Sequence, residues 1–318
     1  VVKELSSGRG DFAVAEGVQE ISARVAAISG TGVDECWMEI EGCRMRYLRA
    51  GSGPPLILLH GLLGYSFSWR FTIPALAPCA TVYAPDLLGA GFSDRALTLD
   101  HSMRATARRV VRFVDHLGLA SLDLLGTSHG GGVALMAADE LLAPASKVRL
   151  SRLVLVAPVN PFSSHGTWLA PFFGTPFGAA LFRLTIPRMT FLFPYWHQRM
   201  YGNRDRIPPG TFEGYTAPLA IPGLFEHGLN IVRSWKCDLA ELETVLPRLE
   251  RVPTLLMWGS VDPAVYASSA PPLAKFFPNS RTLIFEGVGH LPYEECPGKF
   301  NQGLIEFLTG TPVPAPTV

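Results

Sequence analysis

This sequence predicts an open α/β fold built on a mostly parallel sheet, and three observations predict it. Six short apolar runs, each ending in turn residues, read as strands buried on both faces. Segments of helical period separate them, so strand and helix alternate along the chain. One interval, from Pro158 to about Trp235, breaks the alternation with prolines, glycines and aromatics and contains no strand-like run. A stretch that long without structure is uncommon, so it reads as a helical cap inserted between two strands.

Taken in order, residues 1 to 35 carry weakly periodic, mixed polarity and form an expected N-terminal arm. "CWMEI" and "CRMRYLRA" alternate with period two around Glu41-Gly42, which predicts a hairpin and an antiparallel sheet edge. "PPLILLH", "TVYAP", "LDLLG", "RLVLVAP", "TLLMWG" and "RTLIFEG" complete an eight-stranded sheet. The helices expected between and after them are "RATARRVVRFVDHLG", "GGVALMAADELLA", "SSAPPLAKFF" and "PGKFNQGLIEFL". The last opens on a proline, which a first helical turn tolerates. Parallel strands joined through helices imply right-handed crossovers. With 318 residues, one large domain carrying an insertion is expected: core at 36–157 and 236–318, cap at 158–235.

Composition excludes several classes of function. Hydrophobic residues make up 48% and charged residues 17%, enough to bury a sizeable core. Lys+Arg and Asp+Glu balance at 27 each, so no long-range field favours nucleic acid or an acidic membrane. Five scattered cysteines without a CxxC pair fit reduced thiols and a cytoplasmic location. The first residues lack a basic segment followed by an apolar run, so no signal peptide is expected. "WLAPFFGTPFGAALF", residues 168–182, falls short of the ~18–20 apolar residues of a membrane span and contains two prolines. No H-x-H, H-E-x-x-H or Walker spacing occurs, so neither a metallohydrolase nor a Walker-type nucleotide site is expected.

"LDLLGTSHGGGVALMAADELL" concentrates small residues around one serine, Ser128, where a buried strand gives way to a helix. In open α/β sheets chemistry gathers at the carboxyl ends of strands. A turn that sharp strains the serine and admits only small neighbours, a need Gly126 and Gly130 meet. This is the G-x-S-x-G elbow in strand–turn–helix context. A serine hydroxyl needs a base to take its proton, and the base needs an acid to orient it. "LLMWGSVDPAV" places Asp262 after one strand, and "LIFEGVGHLPYEE" places His290 after the next, in the order Ser, Asp, His. The other position open to an orienting acid, after "RLVLVAPVN", holds Asn160, which carries no charge. The backbone amides of Leu62, after "LILLHG", and of His129 are the expected oxyanion donors, with Leu63 an open alternative to Leu62. His60 is expected to hydrogen-bond beneath that turn, and Asp86 and Asp94 to serve as turn and N-cap residues.

Through "HG" at 60–61, "PDLLGAGFSD" at 85–94, "GTSHG" at 126–130, "WGSVD" at 258–262 and "GVGHLPYEE" at 287–295, the chain resembles the α/β-hydrolase superfamily. The resemblance spans about residues 36 to 310 and implies a Ser128–His290–Asp262 triad, an oxyanion hole at Leu62 and His129, and no cofactor. Core and cap look similar to epoxide hydrolases and haloalkane dehalogenases. Those enzymes attack with a carboxylate where this chain has Ser128, so both activities are set aside. Serine enzymes that split carbon–carbon bonds in ring-fission products are similar through "HG" and Ser68-Trp69. They usually carry Trp after the catalytic His, where this chain has Leu291-Pro292. Perhydrolases of the cofactor-free haloperoxidase type share the triad.

The expected reaction is acyl transfer from a carboxylic ester or lactone. The cap supplies far more aromatic surface than charge, which favours an apolar or aromatic group. Trp69, Phe172, Phe173, Phe193, Trp196 and Leu291 are the expected substrate contacts, with Arg183, Arg188, Arg199 and His197 available for a carboxylate. The partner is a small molecule, the assembly a monomer or homodimer. The alternative from another class is a small-molecule receptor that keeps the pocket and turns over slowly or not at all.

Overall fold

The computed structural model describes residues 32–96, 98–163 and 170–311. Residues 1–31 of the expected arm, and Trp168, lie outside them. The hairpin is present as β1 (Val33–Ile40) and β2 (Cys43–Ala50), so β1 begins inside the span assigned to the arm. Glu41 and Gly42 turn it with φ of 55° and 75°, the left-handed pair a two-residue hairpin requires.

The six apolar runs become β3 (Pro55–Leu59), β4 (Thr81–Pro85), β5 (Ser121–Thr127), β6 (Arg149–Val156), β7 (Thr254–Gly259) and β8 (Ser280–Phe285). They and the hairpin form one sheet in the order β1-β2-β4-β3-β5-β6-β7-β8, antiparallel only through β2 and parallel elsewhere. Successive residues face opposite layers. Ile57, Leu59, Leu124, Leu153 and Leu155 join one core cluster, while Leu56, Leu58, Leu125, Val154 and Val156 join the other. Both faces of the inner strands are therefore dry, which is why they read as unbroken apolar runs; β8, expected to be buried likewise, is a sheet edge and leaves Arg281, Thr282 and Ile284 exposed. Helices α1 (Met103–His116) and α2 (Ser128–Leu142) pack into the first cluster.

Chain order decides where a site can form. The chain passes from β3 outward to β4, then returns to lay β5 on the opposite flank of β3. Loops leaving β3 and β5 diverge, and a crevice opens between them at the carboxyl edge.

Between β6 and β7 the described residues from 170 to 249 contain no strand. They form α3 (Pro176–Thr185), α4 (Leu224–Val245) and several shorter turns. The expected cap boundary at 235 falls inside α4, a continuous helix of 22 residues. Its first half faces the cavity through Phe225, Gly228 and Val232, and its second half enters the core through Leu242 and Val245. The terminal helix α5 (Pro297–Thr309) seals the second cluster with Phe300 and Leu304. All five cysteines are free thiols. No helix among the described residues is long and apolar enough to cross a membrane.

Candidate active site

Ser128 is the first residue of α2, directly after β5, and its φ is +53°, a left-handed value that side chains with a Cβ adopt rarely. Two glycines make the turn possible. A Cβ on Gly126 would meet the Gly130 carbonyl oxygen at 2.2 Å, and one on Gly130 would meet the His60 oxygen at 2.2 Å. The elbow is thus wedged against the end of β3, and Ser128 is left half-buried at the mouth of the crevice.

His290 and Asp262 come from the loops after β8 and β7. The His290 Nδ1–H donates to Asp262 Oδ2 at 2.7 Å, and both residues are buried. Asp262 Oδ1 accepts the amides of Ala264 (2.7 Å) and Val265 (2.9 Å), so backbone donors fix the carboxylate and leave Oδ2 for the imidazole. The His290 amide donates to the Met200 carbonyl at 2.6 Å, which ties the histidine loop to the cap. With Nδ1 engaged, the free ring nitrogen is Nε2, and His290 lines the same cavities as Ser128. Asn160 is structural: its amide nitrogen donates to Pro158 O and Ser269 Oγ, and its oxygen accepts the Phe162 amide.

The turn after β3 is pinned by His60. Its Nε2 accepts the Leu87 amide at 3.0 Å, so the ring proton is on Nδ1 and donates to Gly61 O at 2.9 Å. Burial pushes its pKa down and keeps the ring neutral, as both bonds require. Gly64 N donates to Gly61 O at 3.0 Å, and Leu63 takes φ +57°. Among the described residues, the amides of Leu62, Leu63 and His129 have no acceptor. Asp86 accepts the Ser66 and Phe92 amides and pairs with Arg46, a turn role. Asp94 instead accepts the amide of Arg44 in β2, so it ties a strand rather than capping a helix.

Above Ser128 and His290 lies a cavity of about 370 Å³. Of the expected contacts, Phe193, Trp196 and Leu291 line it, together with the expected oxyanion residue Leu62. Three others are corrected. Trp69 is wholly buried in the core against Tyr293, with ring centroids 4.8 Å apart, and Ser68 takes the cavity position beside it. Phe172 and Phe173 do not line the cavity: Phe172 packs on Phe177 and is 40% exposed, and Phe173 packs behind Phe182, which takes the cavity position.

The arginines are spent elsewhere: Arg183 pairs with Glu226, Arg188 bonds the Leu184 carbonyl, and Arg199 lies over Tyr195. His197 does reach the cavity, held neutral by burial. Met189, Met200, Tyr215, Phe225 and Tyr293 complete the wall. Nothing in the local pattern marks the four from the insertion, which has no period from which an inward face could be read; Tyr293 lies three residues after His290.

His129 carries a pH dependence. Burial, then the adjacent His60, pushes its pKa from 6.5 down to about 3. A base depressed in the fold binds its proton more readily once unfolded. Its stabilising contribution is complete above pH 6.5 and is lost as pH falls from there toward 3. At about pH 5 this imidazole alone should have withdrawn about 2 kcal/mol. His129→Leu should therefore lose less stability than wild type between pH 7 and about 5, read from urea midpoints. Equal losses would remove His129 from the acid response.

A serine at a strained strand–helix elbow, with a histidine–carboxylate pair and a capped apolar cavity, defines an α/β hydrolase. The alpha/beta hydrolase fold family matches residues 54–297, and the chain belongs to it. The pimeloyl-(acyl-carrier protein) methyl ester esterase of Aeromonas hydrophila is 30% identical over 269 residues, 82% of this chain and 98% of that protein. The structure of epoxide hydrolase CorEH is similar with a TM-score of 0.73 and 25% identity, covering 87% of this chain and 99% of that one. The meta-cleavage product hydrolase CumD from Pseudomonas fluorescens IP01 is similar with a TM-score of 0.70 and 25% identity, covering 86% and 97%.

Proposed function

We propose that the protein is a serine hydrolase acting on a carboxylic ester or lactone that carries an apolar or aromatic group. One observation carries the reading: the 2.7 Å bond from His290 Nδ1 to Asp262 Oδ2 leaves Nε2 as the base in a cavity shared with Ser128. His290 Nε2 takes the Ser128 proton as Oγ bonds the carbonyl carbon. The resulting oxyanion is held by the amides of Leu62 and His129, each donor contributing a factor of ~10²–10³ in rate. The carbon–oxygen bond to the alcohol breaks, and the alcohol leaves with the His290 proton. Water then attacks the acyl-enzyme by the same route and frees the acid, while Asp262 stays ionised throughout.

Serine at the elbow favours this reading over the alkyl-ester chemistry expected of a carboxylate nucleophile. The likeness to the esterase from Aeromonas hydrophila supports it. Carbon–carbon hydrolysis by the same residues is the second reading, favoured by the likeness to CumD. A p-nitrophenyl ester series graded by acyl length, followed by fluorophosphonate labelling, tests the first. Turnover rising with acyl length and an adduct on the Ser128 peptide are expected. An inert Ser128 would end the reading, and turnover of a ring-fission dienoate without ester turnover would select the second.

A further inference from the structure

Ser128 and His290 border a second, smaller chamber of about 240 Å³, on the side of β6 and the second half of α4. Val159, Asn160, Ser163, Trp235, Leu239 and Val265 line it. Its unpartnered groups are a hydroxyl and an indole N–H, where the larger cavity has an imidazole nitrogen. In the large cavity the two hydroxyls of Ser68 and Tyr215 are bonded to each other at 3.0 Å and Tyr215 also bonds Glu294, while the buried Nε2 of His197 has no partner among the described residues. In the small chamber Asn160 is satisfied, but two buried donors are not. Ser163 Oγ, on a residue 9% exposed, and Trp235 Nε1 have no partner among the described residues. Buried donors are almost always paired, and two of them bordering one chamber beside a nucleophile call for an acceptor supplied by a ligand. No lysine or arginine is found among the described lining, so a carboxylate would lack a counter-charge there.

We infer that the small chamber is a subsite for a short substrate arm bearing an uncharged hydrogen-bond acceptor, an ether or ketone oxygen. Trp235 Nε1–H and the Ser163 hydroxyl read it, while the apolar end of the ester fills the larger cavity. The substrate is then two-ended: a bulky apolar group on one side of the scissile carbonyl and a small oxygenated arm on the other. This rests on the ester-hydrolase reading.

Isosteric pairs test it. 2-Methoxyethyl octanoate against n-butyl octanoate places an ether oxygen or a methylene in the alcohol arm. Phenethyl 3-methoxypropanoate against phenethyl pentanoate does the same in the acyl arm. The quantity read is the ratio of kcat/KM within each pair, which cancels any general loss of activity and the intrinsic reactivity of each ester. In at least one pair, Trp235→Phe and Ser163→Ala should each lower the preference for the ether about fivefold. The same pairs titrated calorimetrically into Ser128→Ala should show the same drop in relative affinity when either change is added. Ratios unchanged by both variants in both pairs, by rate or by affinity, would overturn the subsite. Failure of wild type to hydrolyse any of the four esters would instead sink the ester-hydrolase reading, and the calorimetric ratios would still decide the chamber.

Discussion

Replacing Ser128 by alanine is expected to lower ester turnover by about 10⁴- to 10⁶-fold while leaving the fold intact. What remains reflects substrate binding and the oxyanion amides, which the substitution does not touch. The same position makes a second result visible in stability. Ser128 holds φ at +53°, a conformation that costs a side chain with a Cβ ~1 kcal/mol or more. Ser128→Gly removes that cost and gives back part of the gain through a freer unfolded chain. The inactive glycine variant should therefore unfold higher than wild type, by about 2 °C for a net gain of about 1 kcal/mol. Wild-type rates in the alanine variant would exclude Ser128 as nucleophile. A glycine variant less stable than its parent would show that the elbow is relaxed.

Glu294→Ala is expected to be the most destabilising single change, at about 3–5 kcal/mol. Glu294 is 1% exposed and meets Arg70, itself 3% exposed, at 2.8 Å. It also accepts the hydroxyls of Tyr201 and Tyr215. Burial, then the Glu294 charge, pushes the pKa of both tyrosines upward, so they remain protonated donors. Arg70 in turn donates to Thr211 and lies over the Phe67 ring at 4.1 Å. One carboxylate beside the His290 loop thus gathers residues of the core and of the cap.

Removing it leaves a buried guanidinium without its counter-charge and the Tyr201 hydroxyl without its acceptor, while Tyr215 keeps only Ser68, and the cap loses its anchor. Urea unfolding should report the loss, and KM should rise as the cap loosens. Adding Arg70→Met to Glu294→Leu should recover part of the stability, because the isolated charge disappears with its partner. A single variant costing less than ~1 kcal/mol would mean that water reaches the pair.

The inner strands were legible because both of their faces are buried, so that a run such as "LLMWG" bounded by turn residues reads as a strand, whereas the edge strand β8 was read as buried and is partly exposed. Ser128, Asp262 and His290 stand out for a related reason: each follows the carboxyl end of a strand, so each announces its place at one edge. His60 was legible as a support, and its two hydrogen bonds bear that out. The cap contacts were not. Trp69 sits next to Ser68, and only the packing of Tyr293 decides which of the two turns toward the cavity. Phe172 and Phe193 are equally aromatic, yet one faces outward and the other in.

Local pattern therefore specified the sheet, the order of its strands and helices along the chain, and the residues at its carboxyl edge. Periodicity and turn chemistry act over a few residues and leave their mark in the letters. Which aromatics form the cavity, how α4 joins cap to core, and the Arg70–Glu294 anchor were decided only by tertiary packing. Those outcomes depend on segments up to 224 residues apart meeting in space. No local period records such a meeting.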